Sequence, residues 1–259
     1  MFTLYAMVDL GEWSKELNLK KVLAVVLGLF LIGERTVIAA DVLRLLTEEK
    51  VPLNYLDAET RTIKGIGHDI VVEMMQLAEV QHSVSLMPWK RAYRETLMNP
   101  GTCLYSMNRT PAREELFEWV GPLFESRWAF FRRPGSSLLV KSLDDLQGLV
   151  VVGKESDASV VSLRQARPDL RIVTTQTEPM AVKLLFRQRA DIWLTGVIVA
   201  RSSAEEAKMP TPELAFFWHP TSVWMGCAKG TDQGLLDTLH KVSKDLGPVQ
   251  KAVLSRYDF

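Results

Sequence analysis

The residues best suited to chemistry form a short block from Ser106 to Glu115, with the sequence SMNRTPAREE. A predicted strand ends at Ser106, a polar loop follows, and Pro111 is placed to open a helical turn. Such a turn exposes backbone N–H groups beside hydroxyl, amide and guanidinium donors, which together can hold an anion. Arg113 could grip a carboxylate with two parallel hydrogen bonds. The alternative is a capped turn in which Arg113 forms a salt bridge with a neighbouring glutamate, and the residues alone leave both readings open.

Familiar catalytic motifs are missing from the sequence. None of the four histidines stands at a metal-ligand spacing from another histidine or a cysteine, so we expect no zinc site. The segment Gly65-Ile66-Gly67 lacks the last glycine of a dinucleotide-binding motif, and there is no phosphate loop or nucleophile elbow. Acidic pairs such as Asp144-Asp145 are typical of solvated surface. We therefore expect no metal and no cofactor.

The composition narrows the class of partner. The chain has 259 residues, and its 31 Lys and Arg balance 31 Asp and Glu. A neutral chain has no overall attraction to nucleic acid or to an anionic bilayer, so we expect neither as a partner. The 47% of apolar residues and 24% of charged residues are typical of a globular protein.

Strand-like and helix-like segments alternate along residues 41–259 in two consecutive blocks. The first block begins with an apolar strand at Val42 to Leu46, and the alternation restarts near Trp128. Two such blocks predict an α/β protein with two lobes.

The C-terminal stretch, residues 232–256, is helical but has too few strands to form a third lobe. The chain must therefore cross back to the first lobe, so we expect lobe 1 to be discontinuous, with two crossing segments near residues 128–132 and 221–225. The predicted limits are residues 41–128 plus 221–259 for lobe 1 and residues 129–220 for lobe 2.

The first forty residues have the pattern of an export signal. Lys20 and Lys21 precede the apolar run Val22 to Gly33, and small residues follow up to Ala40. As a helix this run would span roughly 18 Å, well short of the roughly 30 Å hydrocarbon core of a bilayer. We predict a secretory signal peptide at residues 1–40, with a buried N-terminal helix as the alternative. No cysteine follows the run, so we expect a soluble exported protein and not a lipoprotein.

Cys103 and Cys227 are the only two cysteines. Export permits a disulfide, but both lie in strand-like apolar segments, where a small buried thiol is the commoner outcome. We expect two free thiols, with a disulfide as the alternative.

An ordered set of motifs gives the block at residues 106–115 its context. In chain order they are Gly65-Ile66-Gly67-His68-Asp69-Ile70, Pro88-Trp89-Lys90-Arg91-Ala92, Arg109-Thr110-Pro111-Ala112-Arg113-Glu114, Phe117-Glu118-Trp119-Val120-Gly121-Pro122, Ser142-Leu143-Asp144-Asp145-Leu146-Gln147-Gly148 and Arg189-Ala190-Asp191. This order resembles bacterial extracellular solute-binding proteins of family 3, such as the periplasmic receptors of polar amino-acid transporters, over essentially all of residues 41–259. The resemblance implies a type II periplasmic binding protein fold, in which two α/β lobes are joined by two crossing segments and hold a ligand in the cleft between them.

The resemblance also implies a ligand site built from both lobes. Arg113 falls where the family has the arginine that clamps a ligand carboxylate, and Ser106 and Asn108 fall on loop contacts from lobe 1. In lobe 2, Ser156 and Asp157 correspond to a Gly-Thr-Thr-like turn of the family, with an added carboxylate.

One position departs from the family pattern. Gly196 stands where amino-acid receptors often carry the acid that pairs with the ligand ammonium group. This departure weakens the case for an ordinary L-amino acid as the ligand. Asp157 or Glu178 could supply a compensating negative charge.

Several large side chains are candidates for the cleft walls. Tyr55, or its neighbour Asn54, lies at the cleft-lining aromatic position of the family, and Trp89 and Trp193 could add stacking surfaces. Packing in the core is the alternative for these aromatic residues. Arg91 is either a second group facing the anion or a surface cation.

The resemblance implies a receptor that closes around a small carboxylated solute, an amino acid or derivative, and delivers it to an inner-membrane ABC permease. We expect a periplasmic monomer that is not an enzyme. One alternative is a dehydratase-like enzyme on the same fold, with Glu155, Asp157 or Glu178 as its general acid or base. The other is a ligand-sensing module that signals to a membrane protein.

Overall fold

The computed structural model describes residues 42–259, so the predicted signal peptide at residues 1–40 lies outside the described residues. The strands in this range are β1 (Leu43–Thr47), β2 (Tyr55–Leu56), β3 (Ile63–Lys64), β4 (His82–Leu86), β5 (Thr102–Asn108), β6 (Phe117–Arg132), β7 (Val150–Lys154), β8 (Arg171–Thr175), β9 (Ile192–Gly196) and β10 (Glu213–Ala228). The α-helices are α1 (Ile66–Leu77), α2 (Trp89–Met98), α3 (Ala158–Ala166), α4 (Glu178–Phe186), α5 (Val197–Glu206), α6 (Gln233–Ser243) and α7 (Gly247–Arg256), and two 3-10 helices span Pro111–Leu116 and Asp144–Leu146. Within residues 42–259, no helix combines the length and the apolar character needed to span a bilayer.

A mixed sheet runs through the molecule in the order β4-β1-β5-β10-β6-β9-β7-β8, while β2 and β3 pair separately. Strand β1 pairs in parallel with β4 and β5, and β7 pairs in parallel with β8 and β9. Between these two parallel groups lie β6 and β10, which have 16 residues each and pair antiparallel along their length. We call β1, β4 and β5 with their helices lobe 1, and β7, β8 and β9 with their helices lobe 2.

The two long strands are the segments that cross between the lobes. Strand β6 leads from lobe 1 to lobe 2, and β10 leads back to lobe 1. The lobe limits given by the sequence, 128/129 and 220/221, stay a prediction, because β6 and β10 each continue through these points without a break.

The core of lobe 1 joins the N-terminal and C-terminal parts of the chain. Ile70 and Met74 lie one helical turn apart on α1 and pack with Leu45 of β1, Leu239 of α6 and Val253 of α7. Burial of side chains of this size stabilises a fold by about 1.5 to 3 kcal/mol each. The single C-terminal helical stretch expected from the sequence is divided into α6 and α7. A proline at position N1 or N2 of α7 fits this division, because proline is tolerated in the first turn of a helix but not in its interior.

Lobe 2 is covered on both faces of its sheet. In β9, Ile192 and Leu194 pack in one apolar cluster, while Trp193 packs in another cluster with Val182 and Leu185 of α4. This alternation follows from the two-residue period of a strand whose two faces are both buried.

The expectation of two free thiols is wrong. Cys103 of β5 and Cys227 of β10 are directly opposite each other in the antiparallel pairing and form a disulfide across 124 residues of sequence. Both residues are fully buried. The apolar setting of each cysteine is as expected, but the register that brings β10 beside β5 is a tertiary property that neither segment shows alone.

Candidate ligand-binding site

Arg113 lies in the 3-10 helix that follows β5, with its guanidinium against two aromatic rings. The Cζ atom is 5.3 Å from the centroid of the Trp89 ring and 5.6 Å from that of Tyr93. The Nη1 group donates a hydrogen bond of 3.1 Å to the carbonyl oxygen of Asn108. The side chain is half-buried, and this desolvation lowers the pKa of Arg113.

The neighbouring glutamate does not neutralise Arg113. Glu114 pairs with Arg109, whose guanidinium lies over the rings of Trp119 and Trp224 at 5.6 Å and 4.7 Å. Among residues 42–259, Arg113 forms no ion pair with a carboxylate. The salt bridge considered from the sequence is therefore made by Arg109, and Arg113 keeps only the hydrogen bond to the carbonyl oxygen of Asn108 and no carboxylate partner among the described residues.

Two ion pairs join the lobes near Arg113, one with its lysine in lobe 1 and the other with its lysine in lobe 2. Lys50, which follows β1, places its Nζ atom 2.9 Å from Oδ2 of Asp157 and 3.5 Å from Oε1 of Glu178. Lys154, at the end of β7, pairs with Glu48 in the same loop as Lys50. Each lobe thus presents both a cation and an anion to the other.

The two carboxylates at Lys50 have different environments. Asp157 is the N-cap residue of α3, and its Oδ1 accepts hydrogen bonds from the N–H and the hydroxyl of Ser159. Burial by itself would raise the pKa of Asp157, but the charge of Lys50 and the hydrogen bonds outweigh burial and hold this pKa well below its usual range. Glu178 is almost fully buried at the start of α4 and accepts a 3.2 Å hydrogen bond from Nε1 of Trp193. Here burial prevails, so the pKa of Glu178 is raised.

Two cavities open between the lobes. The first, of about 710 Å³, is lined by residues from the loop after β1, the start of α2, the turn after β7 and the start of α4. Lys50, Trp89, Ser156 and Glu178 are among them. The second, of about 660 Å³, lies beside the crossing strands, where Trp128 and Thr221 line it. Arg113 lines neither cavity, but its guanidinium contacts the ring of Trp89, which lines the first cavity.

A close approach at the start of α1 fixes the loop that carries Lys50. A Cβ atom on Gly67 would lie 1.9 Å from Oγ of Ser106, so only glycine fits there. Ser106 donates a 2.6 Å hydrogen bond to Oδ1 of Asn54, and Asn54 donates one to the carbonyl oxygen of Glu48. The glycine motif seen in the sequence thus lets Ser106 brace this loop.

Comparison with known proteins finds similarity in structure. No family model and no curated protein matches the sequence. A mutant of the arginine-binding protein from T. maritima has a similar structure, with a TM-score of 0.70 and 19% identity over 83% of this chain and 95% of that chain. A histidine kinase sensor domain with similarity to periplasmic binding proteins gives a TM-score of 0.75 with 14% identity, over 84% of this chain and 96% of its own. An ancestral amino-acid-binding protein, a precursor of cyclohexadienyl dehydratase, gives 0.70 with 17% identity, over 83% and 94%.

The chain has the type II periplasmic binding protein fold. The predicted fold class is confirmed, and the two lobes, the two crossing strands and the cleft between them all belong to it.

Some of the predicted ligand contacts lie at the cleft of this binding-protein fold. Trp89 and Ser156 line the first cavity. Asp157 and Arg113 do not line it but contact residues that do, since Asp157 pairs with Lys50 and Arg113 lies over the Trp89 ring. Ser106 is turned to Asn54, as described above.

Other predicted contacts are engaged elsewhere. The Asn108 side chain donates to Oγ1 of Thr221 and to the carbonyl oxygen of Ser222 on β10, which fastens β5 to the crossing strand. Tyr55 pairs with Lys64 in the small β2-β3 sheet and lines neither cavity.

Arg91 and Trp193 are also held away from the cavities. Arg91 is exposed and pairs with Glu95 one turn along α2, which matches the surface cation considered from the sequence. Trp193 is fully buried with its indole N–H on Glu178, which matches the core alternative.

The sequence reasoning missed Glu48, Lys50 and Lys154. A signal was present, because Glu48 and Lys50 directly follow β1 and Lys154 ends β7. Ligands of parallel α/β sheets bind beyond the carboxyl ends of the strands, so charged residues there are candidates in advance.

Proposed function

We propose that the protein is a periplasmic solute-binding protein that captures a small carboxylated solute, an amino acid or a derivative, and delivers it to an ABC-type importer. The observation that carries the proposal is the half-buried guanidinium of Arg113, which rests against Trp89 and Tyr93 and has no ion pair among residues 42–259. A desolvated guanidinium of this kind gains most from a ligand carboxylate, because charge-assisted bidentate hydrogen bonds are the strongest available to it.

Backbone geometry at two serines supports a binding role. Ser106 has a φ of 59° and Ser156 a φ of 64°, which places both in the left-handed region. Non-glycine residues in this region cost about 1 to 3 kcal/mol and are enriched at ligand sites. Ser156 lines the first cavity, whereas Ser106 acts through Asn54 on the loop that carries Lys50.

Hinge closure is a known behaviour of periplasmic binding proteins, and the ion pairs of this chain suit it. Lys50 with Asp157, and Lys154 with Glu48, connect the lobes and require them to be close together. A ligand that touches both lobes favours the same closed state and shifts the population towards it. Micromolar binding needs about 8 kcal/mol, and one charge-assisted hydrogen bond gives about 1.5 to 3 kcal/mol. Arg113 must therefore act together with contacts from lobe 2.

Solved structures of the same fold support the choice of ligand class. An ancestral arginine-binding protein has been solved with arginine and with glutamine bound. Both of these ligands carry a carboxylate, which fits the donor set at Arg113.

Binding is tested by a thermal-shift screen of the purified protein with amino acids, polyamines, and small mono- and dicarboxylates, followed by titration calorimetry. We expect a carboxylate to raise the melting temperature and polyamines to have no effect. A response to polyamines alone, or to no compound in the panel, would contradict the proposal.

Delivery to an importer needs a separate measurement. We expect cells that lack the gene to take up the labelled ligand more slowly than cells that carry it. Unchanged uptake together with intact binding would instead favour a sensing role, as in the histidine kinase sensor domain of the same fold.

A second candidate function is a cleft enzyme that eliminates water from a cyclic carboxylic acid. It is favoured by Glu178, which lines the first cavity and has a pKa raised by burial, as a general acid requires. Nuclear magnetic resonance of a bound ligand over time tests it. Product that forms with the wild type but not with Glu178→Gln would establish turnover, and an unchanged ligand would leave the receptor function.

A further inference from the structure

Lys50 occupies the two carboxylates that could receive an ammonium group in the cleft. Its Nζ atom lies 2.9 Å from Asp157 and 3.5 Å from Glu178, and the three side chains are only 15%, 12% and 4% exposed. The other oxygens of these acids are engaged as well, by Ser159 on Asp157 and by Trp193 on Glu178. Oε1 of Glu178 faces Lys50 without a hydrogen bond, so a ligand amine would have to displace Lys50 from Asp157 and compete with it for Glu178.

No further acid takes their place at the end of β9. Gly196 is the N-cap residue of α5 and offers no side chain. Glu48, the other acid next to Lys50 in its loop, pairs with Lys154. Asp157, Glu178 and Glu48 are therefore each already paired with a lysine, and the other acids that line the first cavity, Glu49, Glu155 and Glu206, are exposed.

The balance of charge favours an anion without an amine. Lys50 and Asp157 neutralise each other, and so do Lys154 and Glu48. Burial raises the pKa of Glu178, so this acid carries its negative charge less readily than Asp157 does. Arg113 has no ion pair among residues 42–259, so a ligand carboxylate can balance it, whereas a ligand ammonium group would face Lys50 with like charge.

We propose that the ammonium group of Lys50 occupies the place that the ammonium group of an amino-acid ligand would take beside Asp157 and Glu178. The cleft therefore selects small carboxylates that carry no amino group. This proposal rests on the carboxylate-binding function proposed above, and it excludes the amino acids themselves from that class of ligand. Hydroxy acids and other simple carboxylates of the size of an amino acid belong to this class.

Matched pairs of compounds test the proposal by titration calorimetry on the wild-type protein. Suitable pairs are alanine with lactate, glutamate with 2-hydroxyglutarate, and phenylalanine with 3-phenyllactate, since each pair differs only at the amino group. For the pair that binds best, we expect the hydroxy acid to bind at least tenfold more tightly than the amino acid.

Variants at position 50 assign the preference to the lysine. Lys50→Met removes the charge and keeps the apolar stem, so we expect the amino acid to gain at least tenfold relative to the hydroxy acid. Lys50→Arg keeps the charge and should keep the wild-type preference. Lys229→Met is the matched control, because Lys229 makes an ion pair of the same 2.9 Å length with Glu118 on the exposed surface.

The outcomes separate this proposal from the proposed function. Tighter binding of the amino acid by the wild type, or equal loss of both ligands in Lys50→Met, overturns the role of Lys50 while leaving a carboxylate receptor. If no member of any pair binds, the binding function itself fails. Should Lys50→Met not fold, the wild-type pairs and Lys50→Arg still decide the proposal.

Discussion

The ammonium group of Lys50 and the carboxylate of Asp157 meet 2.9 Å apart across the two lobes. Lys50 comes from the loop after β1, and Asp157 caps α3 on the other side of the cleft. Because both side chains are largely buried, loss of either partner leaves the other without its counter-charge. The stability of the protein and the chemistry of its cleft therefore depend on the same pair.

Asp157→Asn is expected to lower the free energy of unfolding by about 3 kcal/mol at pH 7, the usual cost of breaking a buried ion pair from one side. Lys50 would retain only Glu178, at 3.5 Å. Urea denaturation measures the change. Glu118→Gln, which breaks an exposed pair with Lys229, is the control and should cost about 0.5 kcal/mol. Equal effects of the two substitutions would contradict the assignment.

The stability from Asp157 has a defined pH dependence. Its pKa in the folded protein lies below the unfolded value of about 3.9, so its contribution is complete above that value and is lost as the pH falls further. The difference between wild type and Asp157→Asn should stay constant from pH 7 to about pH 5 and shrink only below about pH 4. A difference that closes between pH 7 and pH 5 would show that another group is responsible.

Glu178→Gln should act in the opposite direction. Because the folded-state pKa of Glu178 is raised, the protonated acid is favoured by folding, and this advantage is lost as the pH rises through that pKa. The glutamine keeps an oxygen for Trp193 and removes a buried charge. We expect the variant to be more stable than the wild type by about 1 kcal/mol at pH 8. Calorimetric melting from pH 4 to pH 8 should show a difference that grows with pH, and a less stable variant at pH 8 would refute this.

The sequence predicts the fold well because its signals are local. Apolar runs such as Val150 to Gly153 and Ile192 to Leu194 are each short enough for a buried strand, and helical spacing between them completes the α/β alternation. The position of Trp193 in the core was within reach of the same reasoning. A strand buried on both faces has an almost continuous apolar sequence, and Trp193 stands in the middle of one.

The contacts in the cleft are harder to predict from the sequence, because the residues that meet there are far apart in the chain. Lys50 and Asp157 are separated by 107 residues, and nothing near either one indicates the other. The same holds for Cys103 and Cys227, which meet only because β10 returns beside β5. Arg113 could be singled out because the turn that presents it lies within a few residues of it.

The disulfide should contribute to stability through the unfolded chain. A crosslink across 124 residues restricts the unfolded ensemble, and the chain-entropy estimate for such a loop is about 4 to 5 kcal/mol. The double variant Cys103→Ala with Cys227→Ala should lose about 2 to 5 kcal/mol in urea denaturation. Wild-type protein unfolded with a reductant present should match it. If the reductant leaves the midpoint of the wild type unchanged, the two cysteines are not joined in solution.

Arg113→Ala tests the centre of the binding proposal. Removing the guanidinium leaves a ligand carboxylate without its main partner, so we expect binding to weaken by about 2 to 4 kcal/mol, or roughly 30- to 1,000-fold. Arg113→Lys should not restore it, because an ammonium group cannot make the bidentate contact. Folding stability should fall by about 1 to 2 kcal/mol, because the substitution removes the hydrogen bond to the carbonyl oxygen of Asn108 and the contacts of the guanidinium with the Trp89 and Tyr93 rings.

Titration calorimetry with the ligand found in the screen measures this effect, and Arg94→Ala is the control because Arg94 is exposed on α2. The control should bind as the wild type does. Affinity of Arg113→Ala within threefold of wild type would mean that the carboxylate is held elsewhere. The second cavity, beside Trp128 and Thr221, would then be the next candidate site, since Arg109 is among its lining residues.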